Sequence, residues 1–161
     1  RLLIFEGAPG VGKTTLCNLV SKDLKIEISP RDKYDPNRSV YFKENLEFIN
    51  CLSDDDQVIL DRFIWSDIVF SKIRSNEEFY NEEFKSIKSV LDFKHRFLLV
   101  RVKNSCFRQT HSNFTELDLA CMNGLYDYIL SDIKHMLVID YDKETTDSAV
   151  EKIKKAWRLL V

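Results

Sequence analysis

Eight consecutive residues near the start of the chain, Gly7-Ala8-Pro9-Gly10-Val11-Gly12-Lys13-Thr14, follow the spacing G-x-x-x-x-G-K-[ST]. Glycines at this density let successive backbone N–H groups turn inward around phosphate oxygens. A lysine at the end of such a loop neutralises the outer phosphates, and a hydroxyl beside it can ligate magnesium. The chain has 161 residues and only 4 glycines, three of them within positions 7 to 12. Average residue frequencies put a chance match on the order of 1% for a chain of this length. Gly7 through Thr15 are therefore assigned to nucleotide phosphates, with Lys13 also catalytic and Thr14 a metal ligand. The loop alone suits a kinase, a GTPase or a motor equally well.

A second constellation is Asp61-Arg62, which ends the apolar run Val58-Ile59-Leu60. Ligands gather at the carboxyl ends of parallel strands. That places Asp61 to share magnesium with Thr14, and Arg62 to hold a second phosphate group in bidentate fashion. A solvated Asp-Arg pair at a strand end is the plain alternative, and the phosphate loop upstream tips the reading toward function. An enzyme with a phosphorylated acceptor has more use for such an arginine than a simple ATPase.

These residues need elements to carry them. Residues 1–6 (RLLIFE) read as a buried strand that breaks at Gly7, and 13–24 as a helix with Leu16, Leu19, Val20 and Leu24 along one side. Residues 25–29 are predicted as a second strand, followed by a proline-marked loop. Helical spacing returns over 39–52, 63–74, 78–93, 114–133 and 147–160. Strands are predicted at 57–60, 97–102 and 136–141. Alternating strands and helices imply an α/β fold: a mostly parallel sheet with helices on both faces.

Composition sets limits around this. With 44% hydrophobic and 31% charged residues, the chain can build one core, and 1–161 is expected to form a single domain. Lysine and arginine (24) nearly balance aspartate and glutamate (26), which leaves −2 and no general basic field for nucleic acid. Cys17, Cys51, Cys106 and Cys121 are scattered and read as buried free thiols of a reducing compartment. No apolar run reaches the roughly 20 residues of a membrane span, so a cytoplasmic location is expected. Because the chain begins with Arg1 and its first strand starts at once, further residues before it are expected.

The residues Phe5-Glu6-Gly7 through Thr15 (FEGAPGVGKTT), together with Asp61-Arg62-Phe63, Ser66 and Phe70 (DRFIWSDIVF), resemble the thymidylate kinase family. Trp65-Ser66-Asp67 also resembles the related deoxynucleoside kinases. The resemblance covers the first three strands well, and the rest by order of elements. It implies a three-layer P-loop kinase fold with a five-stranded parallel sheet, and ATP-dependent phosphoryl transfer to a nucleotide or nucleoside. It further implies that Asp61 lies near magnesium, that Arg62 holds the acceptor phosphate, and that Phe63, Trp65 and Phe70 line the acceptor side.

The chain also departs from that pattern. Where thymidylate kinases carry Glu-Pro, and deoxynucleoside kinases a glutamate base, it has Ser29-Pro30-Arg31-Asp32. A hydroxyl acceptor needs its proton removed, whereas a phosphate acceptor is already ionised. The missing glutamate therefore favours a nucleoside monophosphate as acceptor, with a deoxynucleoside kinase or another small-molecule kinase as the alternative. Arg31 is a candidate for acceptor phosphate and Asp32 for the base; Arg38, Tyr41 and Phe42 are candidates in the acceptor-binding helix. Arg101, Lys103 and Arg108 are the cations available to a reduced lid over the donor phosphates, with Arg108 the first candidate. ATP, Mg2+ and the acceptor are the expected ligands, a homodimer is an allowed assembly, and membrane and nucleic acid are not expected partners.

Other classes fit less well. A regulatory GTPase would need an Asn-Lys-x-Asp element and an Asp-x-x-Gly at Asp61, and this chain has neither. A polynucleotide 5'-kinase would want a basic groove, and a catalytically inactive binding module would follow only from a lost lid.

Overall fold

A computed structural model of the chain describes residues 1–30, 38–74, 81–94, 96–106 and 113–160. Ten elements follow one another: β1 (Leu2–Glu6), α1 (Lys13–Leu24), α2 (Arg38–Cys51), β2 (Val58–Asp61), α3 (Ile64–Arg74), α4 (Asn81–Lys94), β3 (Phe97–Lys103), α5 (Glu116–Ile129), β4 (Met136–Asp140) and α6 (Thr146–Leu159). The four strands form one parallel sheet in the order β2-β1-β3-β4.

β1 is central, and all five of its residues are fully buried. A strand hidden on both faces must be covered by helices on both. α1 packs on α6, α3 on α5, and α2 on α4. The apolar runs of β1 and β3 supply the middle of the core, joined by Leu16 and Val20 from α1, Ile153 and Trp157 from α6, and Met122 from α5.

The expectation of five strands is corrected to four among the described residues. The segment expected as a strand at 25–29 does reach β2, but only through one parallel bridge, Ile28 to Ile59. Ser29 N–H donates to the Ile59 carbonyl at 2.9 Å, and Ile59 N–H to the Glu27 carbonyl at 3.1 Å. The physical reason is length. Lys25 is the left-handed C-cap of α1 (φ 57°), and Ile26 N–H still bonds back to the Ser21 carbonyl. Pro30 then fixes its own φ and restricts the residue before it. Only Glu27, Ile28 and Ser29 remain between them to pair.

Of the four cysteines expected to be buried, only Cys17 is; Cys51, Cys106 and Cys121 are exposed. Among the described residues, no helix is long and apolar enough to cross a membrane.

Candidate active site

The phosphate loop joins the carboxyl end of β1 to the start of α1. Ala8 and Val11 turn their side chains into the core, which anchors the loop; Pro9, Gly10 and Gly12 are half-buried, and Thr14 and Thr15 are exposed. Gly12 caps α1 with φ 89°, a left-handed conformation that glycine adopts without steric cost. No side chain caps this end and no acidic residue sits in the first turn, so the positive end of the helix faces the loop. Gly7 is needed for a different reason. A Cβ there would sit 2.4 Å from the Val102 carbonyl oxygen of β3, closer than any real side chain could lie.

β2 delivers Asp61 to this loop. Thr14 Oγ1 donates to Asp61 Oδ2 at 2.8 Å, and Lys13 Nζ lies 3.2 Å from Asp61 Oδ1. Lys13 itself is only 4% exposed. Burial acts to raise the Asp61 carboxyl, but Lys13, the Thr14 hydroxyl and Arg62 outweigh it and hold the group below the usual carboxylate range. Burial, then the Arg62 charge, push the Lys13 ammonium below its ordinary value, with Asp61 opposing. The result is an anionic carboxylate and a hydroxyl side by side, a hard oxygen pair that fits magnesium. No cluster of three or more histidine, cysteine or acidic side chains that could hold a metal occurs among the described residues.

Arg62 follows with φ 80°, one of two non-glycine residues in the left-handed region among the described residues. Such a backbone costs on the order of 1 to 3 kcal/mol and persists where its surroundings hold it. Here Arg62 N–H donates to the Phe5 carbonyl at 2.9 Å, and its Nη1 donates to the Gly7 carbonyl at 3.2 Å. The guanidinium carbon also lies 4.8 Å above the Phe70 ring. Phe70 in turn stacks on Phe114, with ring centroids 5.8 Å apart, and Arg74 lies 5.1 Å from the Phe114 ring. Arg62 is thereby fixed between the phosphate loop and an aromatic pair.

Beneath the loop lies a polar network that sequence reasoning did not assemble. Glu6 is fully buried. Its Oε1 accepts from Phe63 N–H at 2.8 Å and its Oε2 from Ser66 Oγ, which also bonds the Tyr126 hydroxyl at 2.8 Å. Burial pushes the Glu6 carboxyl up to about 7, against the pull of Ser66, the Arg62 charge and the Phe63 amide. Arg101 pairs with Glu6 in the β1–β3 register. Its guanidinium covers the Tyr126 ring at 4.7 Å, and it donates to the Val102 carbonyl at 2.6 Å and to Asn123 Oδ1 at 2.9 Å. The signal for this network was a charged residue in each of two strands buried on both faces, since a buried charge must find partners.

Several expected roles change with these positions. Phe63 (1% exposed), Trp65 (0%) and Phe42 (5%) pack in the core among the described residues. Phe63 and Trp65 face inward at the start of α3, with their rings tilted against one another at 6.1 Å and Trp65 tilted against Phe97 at 6.3 Å. Phe70, also expected on the acceptor side, lies against the Arg62 guanidinium. Arg101 is 1% exposed and supports the loop floor, so it is not a lid cation. Arg31, Asp32 and Arg108 lie outside the described residues, as do the side chains of Arg38 and Tyr41. Tyr141, after β4, comes within 3.3 Å of where a Gly12 Cβ would be, which brings that strand's end to the loop. A cavity of about 790 Å3 opens at the other end of the sheet, beside the starts of β3 and β4, and does not include these residues.

No protein-family model matches the chain. In sequence it is similar to the SPbeta prophage-derived protein YorR of Bacillus subtilis strain 168, with 30% identity over 102 residues. That match takes in 63% of this chain and 55% of YorR, so it spans about half the relative's length. A crystal structure of YorR in complex with phosphorylated GDP superposes with a TM-score of 0.78 at 21% identity, covering 99% of this chain and 96% of the other. Deoxyadenosine kinase from M. mycoides with bound dATP follows at a TM-score of 0.66 and 16% identity, covering 98% and 100%. Thymidylate kinase from Candida albicans gives 0.63 and 15%, covering 96% and 89%. The fold of this chain is therefore that of the nucleoside and nucleotide kinases.

Proposed function

We propose that this chain transfers the terminal phosphoryl group of ATP to a (deoxy)nucleoside monophosphate, with thymidylate the first acceptor to test. The observation that carries the reading is the junction of two sites. Lys13, Thr14 and Asp61 meet at the phosphate loop, and one residue further Arg62 is held against the same loop by the Gly7 carbonyl. A donor site with an arginine beside it is suited to two phosphorylated ligands facing one another.

In this reading the loop amides and Lys13 grip the donor phosphates, while Arg62 holds the acceptor phosphate in line with them. An acceptor phosphate oxygen forms the new bond to the terminal phosphorus as the bond from that phosphorus to its bridging oxygen breaks, and ADP leaves with the electron pair. Catalysis is then positioning and charge neutralisation. Thr14 and Asp61 would hold magnesium, which when bound neutralises charge on the phosphates. Binding of phosphorylated GDP by YorR and of dATP by the deoxyadenosine kinase supports a nucleotide ligand here.

The likeness to a deoxyadenosine kinase favours one second reading, a nucleoside acceptor. Incubation with Mg-ATP and a panel of nucleosides, nucleoside monophosphates and 5'-hydroxyl oligonucleotides, read by ADP release, separates the two. Turnover confined to nucleosides would replace the proposed acceptor.

A further inference from the structure

The left-handed backbone at Arg62 is held by its own N–H on the Phe5 carbonyl, and the polar groups of the residues that follow it converge on one side chain. Phe63, the residue after Arg62, gives its N–H to Glu6 Oε1 at 2.8 Å. Ser66, in the first turn of α3, gives its hydroxyl to Glu6 Oε2. One carboxylate thus ties the residue after the turn to the first turn of the helix that the turn launches. Glu6 is also the residue immediately before Gly7, whose carbonyl receives the Arg62 guanidinium.

We propose that Glu6 is the positioning residue for Arg62: through the Phe63 amide and Ser66 its carboxylate holds the turn that aims the guanidinium at the phosphate loop. The activity arm of this inference rests on the phosphotransfer reading above; the geometric arm does not. Tyr126 backs the arrangement from α5, bonding Ser66 at 2.8 Å beneath the Arg101 guanidinium. When Glu6 is ionised, Ser66 donates to it and Tyr126 donates to Ser66. When Glu6 is protonated the order reverses, with Glu6 donating to Ser66 and Ser66 to Tyr126, and the clamp loses its charge. The charged and titratable groups around the carboxyl are Lys13 at the start of α1, Arg62, Asp67 on α3, Arg101 on β3 and Tyr126. Burial raises Tyr126 well above the ordinary tyrosine range and raises the Glu6 carboxyl to about 7.

Two measurements test this on the whole chain. The first is the 15N NMR resonance of the Arg62 side-chain Nε–H, assigned by its loss in Arg62→Lys and followed from pH 5.5 to 8.5. Wild type is expected to shift with a midpoint near about 7, the Glu6→Gln signal to stay flat, and Tyr126→Phe, a milder change that keeps the ring, to raise the midpoint. The second is a double-mutant cycle on the KM for a nucleoside monophosphate at saturating ATP. Glu6→Gln is expected to raise that KM about tenfold with the KM for ATP unchanged, and to have no further effect once Arg62→Ala is present. An equal rise in both backgrounds, or an Arg62 signal that titrates the same in Glu6→Gln and wild type, would overturn the positioning role. Absence of turnover in wild type with a titrating Arg62 signal would sink the kinase reading and leave the positioning role standing.

Discussion

Glu6→Gln should change how stability depends on pH, and the structure gives both sign and size. The carboxyl is fully buried and pushed from an ordinary 4.5 up to about 7. Below pH 4.5 it is protonated in folded and unfolded chains alike, and its full contribution is present. As pH rises from 4.5 to 7 the unfolded chain gives up this proton while the folded chain keeps it, so folding grows less favourable. Above 7 both are ionised and the contribution is flat. That rise from 4.5 to about 7 amounts to roughly 3 kcal/mol. Glutamine keeps the side-chain shape and has no proton to exchange. Urea unfolding of both proteins between pH 4.5 and 8 isolates the group, because other titrations cancel in the difference. The stability of wild type minus that of Glu6→Gln is expected to fall by about 3 kcal/mol from pH 4.5 to 7 and then level off. A difference that is flat, or that rises with pH, would mean that the Phe63 and Ser66 hydrogen bonds offset or outweigh burial and that the Glu6 carboxyl titrates at or below its ordinary value.

Further expectations concern the loop and its surroundings. Gly7→Ala pushes a Cβ into the Val102 carbonyl of β3, which is backbone and cannot step aside; melting should show a loss of about 1 to 3 kcal/mol, with weakened binding of a fluorescent ATP analogue. A wild-type melt would show that the loop can lift off β3. Trp65→Phe should cost about 1 to 3 kcal/mol of stability and leave the acceptor KM alone, since the ring is wholly in the core; a raised KM with unchanged stability would return Trp65 to the acceptor side. Phe70→Ala removes the ring beneath the Arg62 guanidinium, and the acceptor KM should rise about two- to thirtyfold, as a lost cation–π contact of about 0.5 to 2 kcal/mol implies. An unchanged KM would mean that the Gly7 carbonyl alone holds the arginine.

The parts of the site that were legible in the sequence are those fixed by local chemistry. A loop that wraps phosphate needs glycines and a lysine at set intervals, so Gly7 through Thr15 could be read without knowing the fold. Asp61 could be read because an apolar run that ends on a carboxylate marks a strand end. The aromatics after it were harder. Phe63, Trp65 and Phe70 lie on one short stretch, and which of them face the core depends on how the chain turns at Arg62. The amide just after that turn, of Phe63, bonds Glu6, 57 positions away along the sequence. Arg101, one of three cations counted as available to a lid, was hard to place for the same reason, since its partners are on α5 and its burial follows from the sheet order. The fifth strand failed at its edges, where a helix cap and a proline left three residues to pair.

Transfer of label from [γ-32P]ATP is the most direct measure of the central claim. With magnesium and a nucleoside monophosphate, wild type should place the label in the corresponding diphosphate. Lys13→Ala should lower that transfer about a hundredfold or more, because the buried cation that meets Asp61 at the glycine-rich loop has been removed. Label appearing only in free phosphate, or the same transfer by Lys13→Ala, would contradict it.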